Sequence, residues 1–187
     1  MGYHRADVIG RAVDVLDSYG LADLTMRRLG QELGVQPSAL YHHFANKQTL
    51  LAAVADEILR RGARPVAEGP WEVRVAGIAA NLREALLGYR DGAELVSTVR
   101  AFDLGARAPY DDLAAALAGG GVPEGLVPTA AGTVLHFVLG HTLDEQTHLQ
   151  AGSAGAIEDD PREGSDFELG VALIVGGIRA HVGQITL

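Results

Sequence analysis

The sequence predicts an all-α chain: an N-terminal three-helix bundle containing a helix-turn-helix, followed by a larger helical body. Three observations predict it. Apolar residues recur at three- and four-residue intervals through most of the 187 residues. No stretch alternates apolar and polar residues as a strand does. Two short helical segments lie either side of Gly34, separated by only a few residues.

The elements follow in order. Residues 5–19 place apolar side chains at 8, 9, 12, 13, 15, 16 and 19, and Gly20 stops that helix. Thr25 suits an N-cap, with Met26, Leu29 and Leu33 following at helical spacing until Gly34. Pro37, at a first helical position, opens a third helix over 37–44 that carries Leu40, Tyr41 and Phe44. Asn46 caps a fourth helix over 46–63. The periodicity then predicts helices over 71–89, 94–102, 109–117, 126–149 and 167–185, with a Gly-rich acidic loop over 150–166.

About half the residues are hydrophobic (48%), enough for a sizeable core, and the absence of cysteine excludes a disulfide framework and thiolate chemistry. The opening stretch MGYHRADVIGRAVDVL lacks the apolar centre of a signal peptide. The longest apolar run, around 171–178, is too short to span a bilayer. A soluble cytoplasmic protein with no membrane partner is therefore expected.

The net charge of −9 taken alone disfavours a nucleic-acid partner, but its distribution does not. Residues 1–50 hold five basic and five acidic side chains, whereas residues 51–187 hold ten and nineteen. All the excess acid lies outside the first fifty residues, so an acidic body can still present a neutral or basic face to phosphates. That face is the helix-turn-helix, whose second helix fits the major groove of duplex DNA. With Leu40 and Phe44 turned inward, Ser38, Ala39, Tyr41, His42 and His43 remain on the outside for base edges and phosphates.

The stretch LTMRRLGQELGVQPSALYHHFANKQTLLAAVADEIL resembles the DNA-binding module of the TetR family, most specifically in its LYxHF-x-NK portion. The resemblance implies DNA contacts from Thr25, Arg27 and Arg28 before the turn, and from Tyr41, His43 and Lys47 after it. Arg27, Arg28 and Lys47 would anchor phosphates, while Ser38, Ala39, Tyr41 and His42 would face bases. Further on, LLGYRDGAELVSTVR and HFVLGHTLDEQTH resemble the sixth and eighth helices of the tetracycline-repressor branch. They imply a small-molecule effector in the body. In that branch a histidine three residues after the RDGA stretch meets the metal-bound drug. Here that position is Val96, and the end of the fourth helix reads Arg60-Arg61-Gly62-Ala63. An effector other than tetracycline–magnesium is therefore expected.

The domain division expected is a DNA-binding domain at 1–46 and an effector-binding and dimerisation domain at 47–187, with the fourth helix as the lever between them. The helices at 126–149 and 167–185 are apolar over more than one face, which predicts a homodimer built on a four-helix bundle. Polar or aromatic groups on these apolar helices mark the effector site: Asn81, Arg100, Phe102, His136, Phe137, His141 and Asp144. No cofactor and no catalytic residues are expected. One competing reading is a helical metal-dependent enzyme using His141, Glu145 and His148, which share a helix face at 141–148. It lacks the further glutamates a di-iron bundle requires, since the last helix offers only Glu168. The function expected is a ligand-controlled dimeric repressor on a palindromic double-stranded DNA operator, its two reading heads about one helical turn (~34 Å) apart.

Overall fold

In a computed structural model, residues 3–156 and 166–185 are described. Among them are nine helices and no strand. Contacts divide the chain into two compact units: Met1–Gly62 with Ala85–Ala106, and Ala63–Glu84 with Arg107–Leu187.

The first unit holds α1 (Arg5–Tyr19), α2 (Met26–Leu33), α3 (Pro37–Leu40), α4 (Lys47–Gly62) and α6 (Gly92–Ala101). α1 buries Val8, Ala12, Val13, Val15 and Leu16 and ends at Gly20, whose φ of 84° only glycine adopts without strain. Thr25 caps α2, its Oγ1 accepting from Arg28 N at 3.0 Å, and Gly34 closes it in the left-handed region at φ 65°. Gly30 is required for space: a Cβ there would lie 2.9 Å from the Val35 carbonyl oxygen, so no other residue lets the turn fold back on α2. α4 opens on a reciprocal cap in which Asn46 Oδ1 accepts from Thr49 N at 2.8 Å and Thr49 Oγ1 accepts from Asn46 N at 3.2 Å. Its buried face, Leu50, Leu51, Val54, Ala55, Ile58 and Leu59, packs on α1 and α6.

One boundary differs in the reading segment. The sequence predicts a helix over 37–44, but α3 ends at Leu40 and Tyr41 is its C-cap. His42 N and His43 N bond back three residues, to Ala39 O (3.4 Å) and Leu40 O (2.9 Å). The last turn tightens because Asn46 must cap α4 two residues after Phe44 enters the core. Tyr41, His42 and His43 therefore lie on a tight turn, not on a helix face.

The second unit holds α7 (Ala108–Gly119), α8 (Val127–Ser153) and α9 (Phe167–Ile185). Helix α5 (Trp71–Leu87) gives residues 71–84 to this unit and 85–87 to the first. The core of the unit includes Val75, Ala79, Leu82, Leu113, Leu117, Val134, Leu135, Val138 and Val171. A fully buried Leu of this kind contributes about 1.5–3 kcal/mol. α8 packs on both α7 and α9. Its end corrects the expected loop over 150–166: the helix continues to Ser153. A Schellman closure follows, with Ala156 N bonding to Ala151 O at 2.9 Å and Gly155 N to Gly152 O at 2.9 Å. Gly155, at φ 68°, supplies the left-handed residue this closure needs. Residues 157–165 of that expected loop lie outside the described residues.

Glu57 illustrates how α4 is held. Its carboxylate accepts from Arg60 Nε at 2.8 Å and Arg61 Nε at 2.7 Å. The bond from Arg60, with that from Arg61, outweighs the opposing effect of burial and lowers the Glu57 pKa from 4.5 to about 2. A carboxylate depressed in the folded state contributes stability above its unfolded pKa and loses it as pH falls through the folded one. We expect Glu57→Gln to melt below wild type at neutral pH, the gap closing between about pH 4.5 and 2 in a series of thermal melts.

Candidate nucleic-acid interface

The first unit builds one polar surface from α2, the Gly34 turn and α3. Leu29, Leu33, Leu40 and Phe44 are buried beneath it. Arg27, Ser38 and His42 are exposed, and Tyr41 is 51% exposed, unusually open for an aromatic beside a core. Ala39, His43 and Lys47 are half-buried at the same surface. Thr25 is half-buried with its hydroxyl occupied as the cap. Arg28 differs from Arg27: its guanidinium lies 3.7 Å from the centroid of the Tyr19 ring and its Nε donates to Glu32 Oε1 at 3.0 Å. Arg27 and Lys47 make no ion pair with a described residue. Lys47 is the first residue of α4, where the helix dipole disfavours a cation and attracts an anion. An ammonium beside unpaired helix N–H groups is suited to a phosphate.

A second set of contacts, which sequence reasoning missed, fixes the α1–α2 corner. Leu21 N donates to Asp91 Oδ2 at 2.8 Å, and Arg90 N donates to Asp17 Oδ1 at 3.2 Å. The Arg90–Asp91 turn before α6 is thereby tied to the start of the reading segment, so α4 is not the sole connection. Gly20 makes room for it: a Cβ would lie 2.6 Å from Asp91 Oδ2. Gly20→Ala should therefore cost about 2–4 kcal/mol, from left-handed strain plus a broken part-buried hydrogen bond, read as a lower denaturation midpoint. Below this turn, Asp56 Oδ1 accepts from Ala106 N at 2.8 Å and Arg100 Nη1 donates to Ala106 O at 3.0 Å.

The predicted effector residues are divided between the two units. Arg100 and Phe102 belong to the first unit, where Arg100 binds a backbone carbonyl and Phe102 is 62% exposed. The other five belong to the second. Asn81 Nδ2 donates to Arg64 O at 3.0 Å. His136 and Asp144 are exposed. Phe137 and His141 meet, at 5.4 Å between ring centroids, and both approach Phe167 (5.8 and 5.3 Å). Phe137 seats directly on Gly170, where any Cβ would strike its ring. Phe167 was not a sequence candidate. It also lines a groove of about 590 Å³ between α5 and α9, with Val73, Ala76, Ala80, Val171 and Val175. The signal for that groove was small residues at four-residue spacing, Ala76 and Ala80 on α5 and Ala172 and Gly176 on α9. Val96 is fully buried within α6.

The metal-enzyme reading of His141, Glu145 and His148 finds no support among the described residues. The Glu145 carboxylate is taken by Arg83, whose Nε donates to Oε2 at 2.9 Å. Arg83 also lies over the Phe167 ring, at 5.1 Å from its centroid. Among the described residues no group of three or more His, Asp or Glu is placed to hold a metal ion. Among the same residues no helix is long and apolar enough to cross a membrane.

Comparison with known proteins agrees with this geometry. Residues 8–54 match the model for bacterial regulatory proteins of the tetR family. Residues 65–164 match the tetracyclin repressor-like C-terminal domain. The chain is 35% identical over 195 aligned residues to the tetracycline repressor protein class A from transposon 1721 of Escherichia coli, covering 91% of this chain and 88% of that protein. It is similar to the crystal structure of BioQ with its double-stranded DNA operator, at 43% identity and a TM-score of 0.84, covering 96% of this chain and 99% of that one. It is also similar to a variant of TetR from Acinetobacter baumannii AYE in complex with minocycline, at 28% identity and a TM-score of 0.75, covering 95% and 97% of the two chains. A chain whose two parts match the two modules of one family, with a relative of this identity over nine-tenths of its length, belongs to the tetR family of bacterial regulatory proteins.

Proposed function

We propose that this chain is a homodimeric transcription repressor. It binds a palindromic double-stranded DNA operator and is released from it by a small-molecule effector. The observation that carries the reading is the surface of α2, the turn and α3, where Arg27, Ser38, Tyr41 and His42 face outward on a scaffold locked by Thr25, Gly30 and Gly34. We assign DNA reading to residues 1–46 and effector binding and dimerisation to residues 47–187. Arg27 and Lys47 hold phosphates. Ser38, Ala39, Tyr41 and His42 face bases, with Thr25 and His43 at the margin of the surface. Arg28 serves mainly to brace Tyr19, since its charge is already shared with Glu32.

Dimerisation is supported by leucines that a lone chain would leave in water: Leu143 and Leu149 on α8, and Leu169 and Leu173 on α9. The effector is a largely apolar small molecule. Buried Val96, in place of a histidine, argues against tetracycline–magnesium, and Phe137 and His141 are two sequence candidates whose rings meet. Such a protein acts in the cytoplasm, where its DNA lies, and is a regulator, not an enzyme. BioQ binds an operator and the Acinetobacter TetR variant binds minocycline, partners of these two kinds. A gel shift on the DNA upstream of the protein's own gene tests the reading. A retarded band at low salt, lost steeply as salt rises, supports it. No retardation at any salt concentration overturns it.

A further inference from the structure

We propose that Arg5, at the start of α1, is an additional phosphate-binding residue, beyond the helix-turn-helix and Lys47. The inference rests on the DNA-binding reading above and adds a residue that neither the sequence motif nor that reading includes.

Arg5 is exposed and its guanidinium lies 4.8 Å from the centroid of the Phe44 ring. Phe44 is buried and ends the turn that carries Tyr41, His42 and His43, three residues before Lys47. The charge of Arg5 is therefore held at the Lys47 end of the reading surface, although it lies some forty residues away in sequence. Its backbone is pinned as well: the preceding His4 N donates to Asp7 Oδ2 at 2.8 Å, fixing the first turn of α1. The guanidinium pairs with no carboxylate among the described residues, in contrast to Arg11, which meets Asp14 at 3.6 Å on the same helix, and Arg28, which meets Glu32.

Packing over an aromatic ring leaves the N–H donors at the guanidinium edge available, in the fork that matches phosphate oxygens. A cation held by a ring and a fixed helical turn also loses little side-chain freedom on binding. Arg5, Arg27 and Lys47 thus share the absence of an ion-pair partner among the described residues, and the first and last are joined through Phe44 and the short turn after it.

The test uses the full chain and two fluorescent duplexes, one of mixed sequence and one from upstream of the gene, titrated over a range of salt. Arg5→Met keeps the apolar stem against Phe44 and removes the charge, Arg5→Lys keeps the charge, and Arg11→Met is the control on a paired arginine. With one phosphate interaction removed from each protomer, Arg5→Met should bind both duplexes about tenfold more weakly, with a salt slope shallower by about 1.8. Arg5→Lys and Arg11→Met should stay close to wild type, and all three should melt like wild type. An unchanged slope for Arg5→Met, or an equal loss in Arg11→Met, overturns the proposal while leaving the DNA-binding reading intact. Wild-type protein that binds neither duplex overturns both.

Discussion

Tyr41→Ala should reduce operator affinity by about 30-fold or more while leaving the fold and the dimer unchanged. The tyrosine is half in solvent at the C-cap of α3, whereas Leu40 and Phe44 beside it are buried. Loss of a groove interaction costs about 1–3 kcal/mol per head. Two heads on one operator double that, and each 1.4 kcal/mol is a factor of ten. Because Tyr41 lies on a tight turn, the backbone tolerates alanine and no helix is lost with the ring. The measurement is an anisotropy titration on the upstream duplex, paired with sedimentation of the free protein. A variant that binds normally would remove Tyr41 from the reading surface, and a variant that dissociates to monomers would place the tyrosine in the fold instead.

Leu173→Glu should have the larger effect, because it acts on the dimer and thereby on both heads together. Leu173 is 69% exposed on α9, and Leu169, one turn earlier, is 58% exposed. Within a single chain the substitution touches little, so the helical content should persist. In a dimer built on these leucines it removes apolar burial and places one carboxylate on each side of the interface. Burying a carboxylate without a partner costs several kcal/mol. We expect sedimentation equilibrium to give a dimer for wild type and a monomer for the variant at micromolar protein. Operator affinity should fall about 100-fold, since two linked heads bind far more tightly than one. A variant that remains dimeric would move the interface away from α9.

Much of this was legible in the sequence for reasons that are local. Thr25, Gly34, Pro37 and Asn46 punctuate the first fifty residues, and each acts within four residues of its own position, so helix starts and stops follow from them. The start of α9 matched the periodicity because its apolar spacing begins at Phe167. What was not legible depends on distant partners. The end of α3 at Leu40 is set by the cap of α4. The role of Gly30 is set by a carbonyl across the turn, and the role of Gly20 by a carboxylate seventy-one residues further on. The partners of the candidate effector residues were not legible for the same reason. A polar side chain on an apolar helix signals that it needs a partner without naming it, and Asn81 and Arg100 each found a backbone carbonyl. Phe167 gave no signal because a phenylalanine opening an apolar helix reads as ordinary core.

Hydroxyl-radical footprinting of the upstream duplex tests most directly whether residues 25–47 dock in the grooves as a pair of heads. We expect two protected patches on one face of the duplex, centred about one helical turn or roughly 34 Å apart, both weakened in Tyr41→Ala. A duplex left uniformly cleaved by saturating protein at low salt would contradict it.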